Sequence, residues 1–411
     1  MPTASGAHAL VRRSHEERVL RILQQSGALS RGEIAERVGL SRTTVSEITG
    51  DLLERGAITV VDTDAAGRTG SGRPAERLAL DPGSGQFMGV DFGHRRVHVA
   101  VADAAHEVVA TGTARYPESA RWPQRLTAAF ELIERLSAET GVHYGALQAI
   151  AVGVPGWGNR LPADGVADTF AMRFGAPVTV DNHVRYAGLA EAAHSAADSA
   201  QNLIYLRLSD GVGGSLVVGG RLVRGAGGHA GEFGHVTVAG EDGALCRCGK
   251  RGCVETIASV PAVLARCRAL GVPLDSLDDL RAAVAIAQPT VDRVLREAGT
   301  AVGRVLGAAA MTLNPSEIVL GGEIVQIAPT LLHQVASTIT YELSWLPDAA
   351  PVVRAASLAD SGGALGAITA LFHDSPLLAS YPAAPDPSRP AVKERHVHPI
   401  PAPARGTRWP S

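Results

Sequence analysis

Cysteine is scarce in this chain, with four residues among 411. That number cannot staple a protein of this size, so a disulfide scaffold is excluded and the expected compartment is the cytoplasm. No run of about 18 apolar residues occurs, which excludes a membrane-spanning helix and any expected membrane partner. The opening stretch MPTASGAHALVRRSHEERV lacks the apolar core of a signal peptide. An excess of one charge is missing too: the formal net charge is -3, and residues 1 to 80 carry eleven arginines against ten acidic residues. Bulk attraction to nucleic acid is therefore absent, and DNA binding has to come from a motif. Apolar residues are plentiful, at 45% of the chain, enough for the cores of two or three domains.

The cysteines are unevenly placed. Cys246, Cys248 and Cys253 fall within eight residues, and His235 stands eleven residues before the first of them. Three thiolates and an imidazole complete a tetrahedral zinc set with no position open for a catalytic water, so the expected Zn2+ is structural. Gly249 and Gly252 let the loop fold back on one ion, and three cysteines cannot pair off as disulfides. The alternative is a set of ordinary thiols or a redox pair. Cys267 lies among Val263, Leu264 and Leu270 at helical spacing and reads as a core residue.

Glu232, His235 and Glu255 stand in or beside this loop. A metal-bound imidazole keeps a second nitrogen for hydrogen bonding, and two fixed carboxylates beside it suit a ligand rich in hydroxyls, such as a sugar. Alternatively, the two glutamates only accept hydrogen bonds from the zinc ligands.

At the N-terminal end, Val19, Ile22 and Leu23 have helical spacing. Ser30-Arg31-Gly32-Glu33 is a capping box that starts a second helix, Gly39-Leu40 breaks it, and Ser41 caps a third. In that third helix Val45, Ile48 and Leu52 share one face, leaving Ser41, Arg42, Thr43, Thr44, Ser46 and Glu47 to meet base edges and phosphates in a major groove. A small helical bundle with no DNA role has the same apolar spacing. Ile58 to Val61, the glycines Gly67, Gly70 and Gly72, and Leu78 to Leu80 predict a two-stranded wing that presents Arg68 and Arg73; a solvated linker hairpin is the other reading.

Asp81 to Gly85 reads as a linker. Antiparallel strands are predicted over 87–92, 97–102 and 108–113, then a helix over 122–139 and a strand over 149–154. Strands at 203–208 and 215–218 flank a glycine cluster at 211–214. Helices are predicted over 261–268, 277–287 and 291–312, and a strand ends in the Gly321-Gly322 turn. The last stretch, rich in Pro and Ala, predicts a disordered tail.

Gly-Glu-Phe-Gly-His at 231–235 followed by Cys-Arg-Cys-Gly-Lys-Arg-Gly-Cys-Val-Glu at 246–255 resembles the signature of the ROK family, which contains bacterial sugar kinases and sugar-responsive repressors. The likeness covers residues 10 to 373. It implies an α/β chain: a winged helix-turn-helix and linker over 1–83, a two-lobed actin-like (ribonuclease-H-like) body with a zinc loop over 84–373, and a tail over 374–411. It implies zinc ligation by His235, Cys246, Cys248 and Cys253, and a sugar-binding set of Asn182, His183, Glu232, His235 and Glu255. Gly72-Arg73-Pro74 resembles the wing tip of the family's repressors.

Phosphoryl transfer needs a base and phosphate-cradling turns. Where the family's kinases carry Asn-Asp at a helix start, this chain has Asp181-Asn182-His183, so histidine holds the base position. Where they carry Asp-x-Gly-Gly-Thr, it has Asp91-Phe92-Gly93-His94-Arg95. The expected function is therefore not enzymatic. It is a transcriptional repressor that binds a palindromic double-stranded operator as a homodimer or homotetramer and is released by a sugar or sugar derivative. The alternatives are a sugar kinase with an accessory DNA-binding head and a ligand-independent DNA-binding regulator.

Overall fold

Ser30 and Glu33 satisfy each other's backbone at a helix start: Ser30 Oγ accepts from Glu33 N at 3.3 Å, and Glu33 Oε2 accepts from Ser30 N at 2.8 Å. This is the predicted capping box. It opens the helix Arg31–Val38, which Gly39 ends in the left-handed region at φ 65°. Ser41 Oγ then accepts from Thr44 N at 3.1 Å and starts the helix Arg42–Glu54. The computed structural model describes residues 15–374 apart from the segments 64–75, 82–84, 141–146, 157–162, 196–201 and 346–349 and positions 17, 21, 24, 25, 55, 56, 105, 241, 359 and 360.

Val45, Ile48 and Leu52 are buried as their spacing requires, and Thr49 joins them with its hydroxyl donating to Val45 O at 2.8 Å. Strands β1 (Leu29–Ser30), β2 (Ile58–Thr63) and β3 (Glu76–Leu80) form an antiparallel sheet in the order β1-β3-β2. Leu78 and Leu80 alternate inward from β3 onto the helices, closing one small core with Ile34 and Val45. The predicted tip residues Gly67, Arg68, Gly70, Gly72 and Arg73 lie outside the described residues.

Two five-stranded sheets with one plan make the body. In the first, β4 (Gln86–Phe92), β5 (Arg96–Asp103) and β6 (Val108–Arg115) run antiparallel, while β7 (Leu147–Val154) and β8 (Val178–Asn182) continue from β4 in parallel, giving the order β6-β5-β4-β7-β8. The second repeats this with β9 (Leu203–Leu208), β10 (Val212–Val218), β11 (Arg221–Leu222), β12 (Glu317–Gly321) and β13 (Val352–Ala355), in the order β11-β10-β9-β12-β13. Central strands such as β4 and β12 read as nearly unbroken apolar runs because they are buried along their length. Helices His183–His194 and Gly362–Asp374 pack against each other between the sheets. This is the two-lobed architecture that the sequence predicts.

Three details differ from expectation. The strand expected at 215–218 begins at Val212, paired with Leu208, so Gly213 and Gly214 are strand residues. The interval Trp157 to Ala176 holds a helix, Ala163–Phe174, whose Phe170 packs edge-on against Phe92. Helix Pro329–Glu342 and strand β13 complete the second lobe without having been expected. Asp374 ends the last helix, and the expected tail beyond it lies outside the described residues. Among the described residues no helix is long and apolar enough to cross a membrane.

Candidate functional site

The loop that carries the cysteines is folded by two isolated bridges, Thr237 with Cys253 and Leu245 with Arg251. Gly252 permits this at φ 67°, and a Cβ on it would stand 2.3 Å from Ala239 O. The loop docks on β10 at Gly214, where a Cβ would lie 2.6 Å from the Phe233 ring and 2.7 Å from Gly231 O. The glycine cluster therefore makes room for the cysteine loop.

One ligand atom from each of His235, Cys246, Cys248 and Cys253 falls within 4.8 Å of the others. Cys248 Sγ lies 3.6 Å from Cys253 Sγ, and Cys246 Sγ lies 3.5 Å from His235 Nδ1. Four donors at zinc bond lengths on a tetrahedron stand about 3.5 to 3.8 Å apart; these two pairs have that spacing, and the four residues could hold a metal ion. Burial first, and the adjacent thiols after it, push Cys253 up to about 12. Burial likewise holds His235 below its ordinary value. A cation among them would stabilise the Cys246 and Cys253 thiolates, which burial otherwise opposes.

Beside the loop, a cleft of about 1020 Å³ opens between the lobes, and Asn182, His183, Glu232 and His235 all line it. Asn182 caps the helix His183–His194: its Oδ1 accepts from Val184 N at 2.7 Å, and its Nδ2 donates to Gly156 O. His183 Nδ1 is 3.3 Å from Asp91 Oδ1 in buried surroundings. Glu232 is held above the usual carboxylate range by burial, with Arg185 at 3.6 Å acting in the opposite direction.

Glu255 is placed differently. It is buried, its Oε2 accepts from Val212 N at 3.0 Å and from Arg247 Nη2 at 2.7 Å, and Cys246 Sγ lies 3.9 Å from its Oε1. It stands behind Arg247 and does not line the cleft. In this place Glu255 links β10 to the arginine between Cys246 and Cys248.

Four residues around the site were not expected. Asp181 takes Arg185 Nη1 at 3.0 Å and Arg224 Nε at 2.7 Å, and Arg185 also donates to Gly228 O. These three side chains tie the helix start to the segment that carries Glu232, while Arg247, the fourth, pairs with Glu255. The four-residue spacing of Asp181 and Arg185 across a helix start is a signal the sequence does offer. At the altered phosphate turn, His94 and Arg95 both line the cleft, and Arg95 Nη2 pairs with Glu118 at 2.8 Å.

On the helix Arg42–Glu54 and at its cap, Ser41, Arg42, Thr43, Ser46 and Glu47 are exposed and Thr44 is half-buried. The two wing arginines lie outside the described residues.

Residues 87–375 match the ROK family, and residues 12–59 match a winged helix-turn-helix DNA-binding family. Over 381 residues the chain is 30% identical to the DNA-binding transcriptional dual regulator NagC of Escherichia coli (strain K12), an overlap of 87% of this chain and 92% of that protein. It is 25% identical over 398 residues to a xylose repressor of Caldicellulosiruptor bescii, covering 90% and 98%. Among solved structures, a ROK family transcriptional regulator described as a homolog of the E. coli MLC protein superposes with a TM-score of 0.74 at 24% identity, over 90% of this chain and 99% of the other. A ROK family glucokinase from Streptomyces griseus, in complex with glucose and AMPPNP, gives 0.57 at 25% identity over 69% and 98%.

Proposed function

The chain belongs to the ROK family, and on that footing we propose that it is a DNA-binding transcriptional repressor whose operator affinity is lowered by a sugar or sugar derivative in the cleft. The observation that carries this reading is the joining, in one chain, of an exposed polar recognition helix to a cleft lined by Asn182, Glu232 and His235. Two equivalent recognition helices, from a homodimer or homotetramer, would meet the half-sites of a palindromic operator. Arg42 and its neighbours read bases and phosphates, and Arg68 and Arg73 reach the backbone beside them.

In this reading His235, Cys246, Cys248 and Cys253 hold a structural zinc ion, which supplies a rigid positive centre for the loop. His235 presents Nε2 to a sugar hydroxyl, Glu232 accepts from a second, and Asn182 contacts a third. Glu255 keeps Arg247 and Val212 in register with the loop. The ligand favours one arrangement of the lobes, and DNA release follows from its higher affinity for that arrangement.

Phosphoryl transfer is disfavoured because the base position is a histidine beside Asp91 and the first phosphate turn carries His94 and Arg95. The relatives' names point to N-acetylglucosamine and xylose as the first sugars to test. The test is thermal unfolding of the full chain with each sugar. One sugar should raise Tm in the wild type and leave the Glu232→Ala variant unmoved; no shift with any sugar, or an equal shift in both proteins, refutes the reading.

A further inference from the structure

We propose that Arg247 is a specificity-determining residue of the cleft: it covers Glu255 and sets a hydrogen-bond donor where that carboxylate would otherwise accept from a ligand hydroxyl. The proposal rests on the reading of the cleft as a sugar site and names the side chain that restricts what the site takes.

Arg247 stands between Cys246 and Cys248, in a turn where Cys246 N donates to Lys250 O at 2.8 Å and Gly249 N donates to Cys246 O at 2.9 Å. The turn fixes its backbone, and its side chain lines the cleft. Its Nη2 donates to Glu255 Oε2 at 2.7 Å, and the two sides of this pair differ: 59% of the Arg247 side chain is exposed, against 9% of that of Glu255. The guanidinium is the member that meets the cleft, and the carboxylate lies beneath it.

Gly211 shows how thin the separation is. It lines the cleft, and a Cβ on it would lie 2.6 Å from Arg247 Nη2 and 2.9 Å from Glu255 Oε2. Both atoms thus lie against the same cleft-lining residue, in space that glycine leaves free. Glu255 Oε2 also accepts from Val212 N at 3.0 Å. A buried carboxylate is costly without donors. With the guanidinium removed, Oε2 keeps the Val212 amide and gains a position open to the cleft, where a sugar hydroxyl can donate.

The cover reverses the hydrogen-bonding sense of that corner. A carboxylate only accepts, whereas a guanidinium only donates. Arg247 therefore disfavours a ligand whose hydroxyl must donate there, and it leaves recognition to Asn182, Glu232 and His235, which line the cleft themselves.

Calorimetric titration of the full chain with glucose, xylose and N-acetylglucosamine tests this. Arg247→Met keeps an apolar stem and removes the donors, and one or more of these sugars should bind it at least about tenfold more tightly than wild type. Adding Glu255→Gln to that variant should remove the gain, because a hydrogen bond to a charged acceptor is what the sugar acquires. Tm reports whether each variant is folded, and Arg247→Ala serves if Arg247→Met is not.

A gain that Glu255→Gln removes upholds the cover. Equal measurable affinity of wild type and Arg247→Met, weaker binding by the variant, or a gain that survives Glu255→Gln overturns it while the sugar reading stands. Binding by Arg247→Met with none by wild type upholds the cover even though the wild-type reading fails. Binding by neither protein overturns both.

Discussion

His183 and Asp91 face each other across 3.3 Å, Nδ1 to Oδ1, with both side chains buried. One comes from the helix start where the family's kinases keep their base, the other from the turn where they cradle phosphate. Neither atom has a hydrogen-bond partner among the described residues, and the base position carries an imidazole in place of the carboxylate that takes the hydroxyl proton. The purified chain should therefore release no ADP from ATP above background with N-acetylglucosamine, glucose or xylose, as measured by a coupled assay. Sugar-dependent turnover that disappears in His183→Ala would contradict this.

The zinc set makes a second prediction. The purified protein should contain about one zinc per chain, and Cys248→Ser should lose it together with the order of the loop. Elemental analysis and hydrogen exchange over residues 235–253 read the two effects. A full zinc content in Cys248→Ser refutes the ligand assignment.

Gly214 tests the packing of that loop independently of metal. A methyl group there meets the Phe233 ring at 2.6 Å and a carbonyl at 2.7 Å, so Gly214→Ala should destabilise the body by about 1 to 3 kcal/mol. Denaturant unfolding measures it, and a neutral result would mean that the loop does not dock as described.

The capping box carries a pH signature. Hydrogen bonds from the Ser30 backbone, then from its hydroxyl, hold Glu33 below its ordinary value of 4.5. A carboxyl depressed on folding contributes stability that is full above the unfolded value and is lost as pH falls through the folded one. The stability difference between wild type and Glu33→Ala should be present at neutral pH and shrink below 4.5. A difference that does not vary with pH contradicts this.

Local features are legible in the sequence because local rules set them. The Ser30 and Glu33 pair, the apolar face of Val45, Ile48 and Leu52, and the cysteine spacing each lie within one turn or loop, and each appears where it is expected. The helix Ala163–Phe174 is also legible in principle, since Val166, Phe170 and Phe174 recur every four residues, although no helix is predicted there above. The glycines of β10 mislead because glycine marks both tight turns and close approaches, and only the docked loop tells which applies. Long-range pairing is the least legible. Nothing near Glu255 announces that it accepts from Val212, because the fold brings these residues together.

DNA contact itself is open to single substitutions. Arg42→Ala should weaken specific operator binding by about 1 to 3 kcal/mol if Arg42 reads a base, with a smaller loss on unrelated DNA. Arg73→Ala should weaken both alike and reduce the salt dependence, as expected of a phosphate contact.

The most direct measurement incubates the purified full chain with fragmented genomic DNA from its source and sequences what is retained, with and without a mixture of sugars and sugar phosphates. A few palindromic sites beside sugar transport or catabolism genes, retained alone and lost with the mixture, are the predicted result. Retention of the same sites at equal strength under both conditions, or no specific retention at all, would contradict a ligand-released repressor.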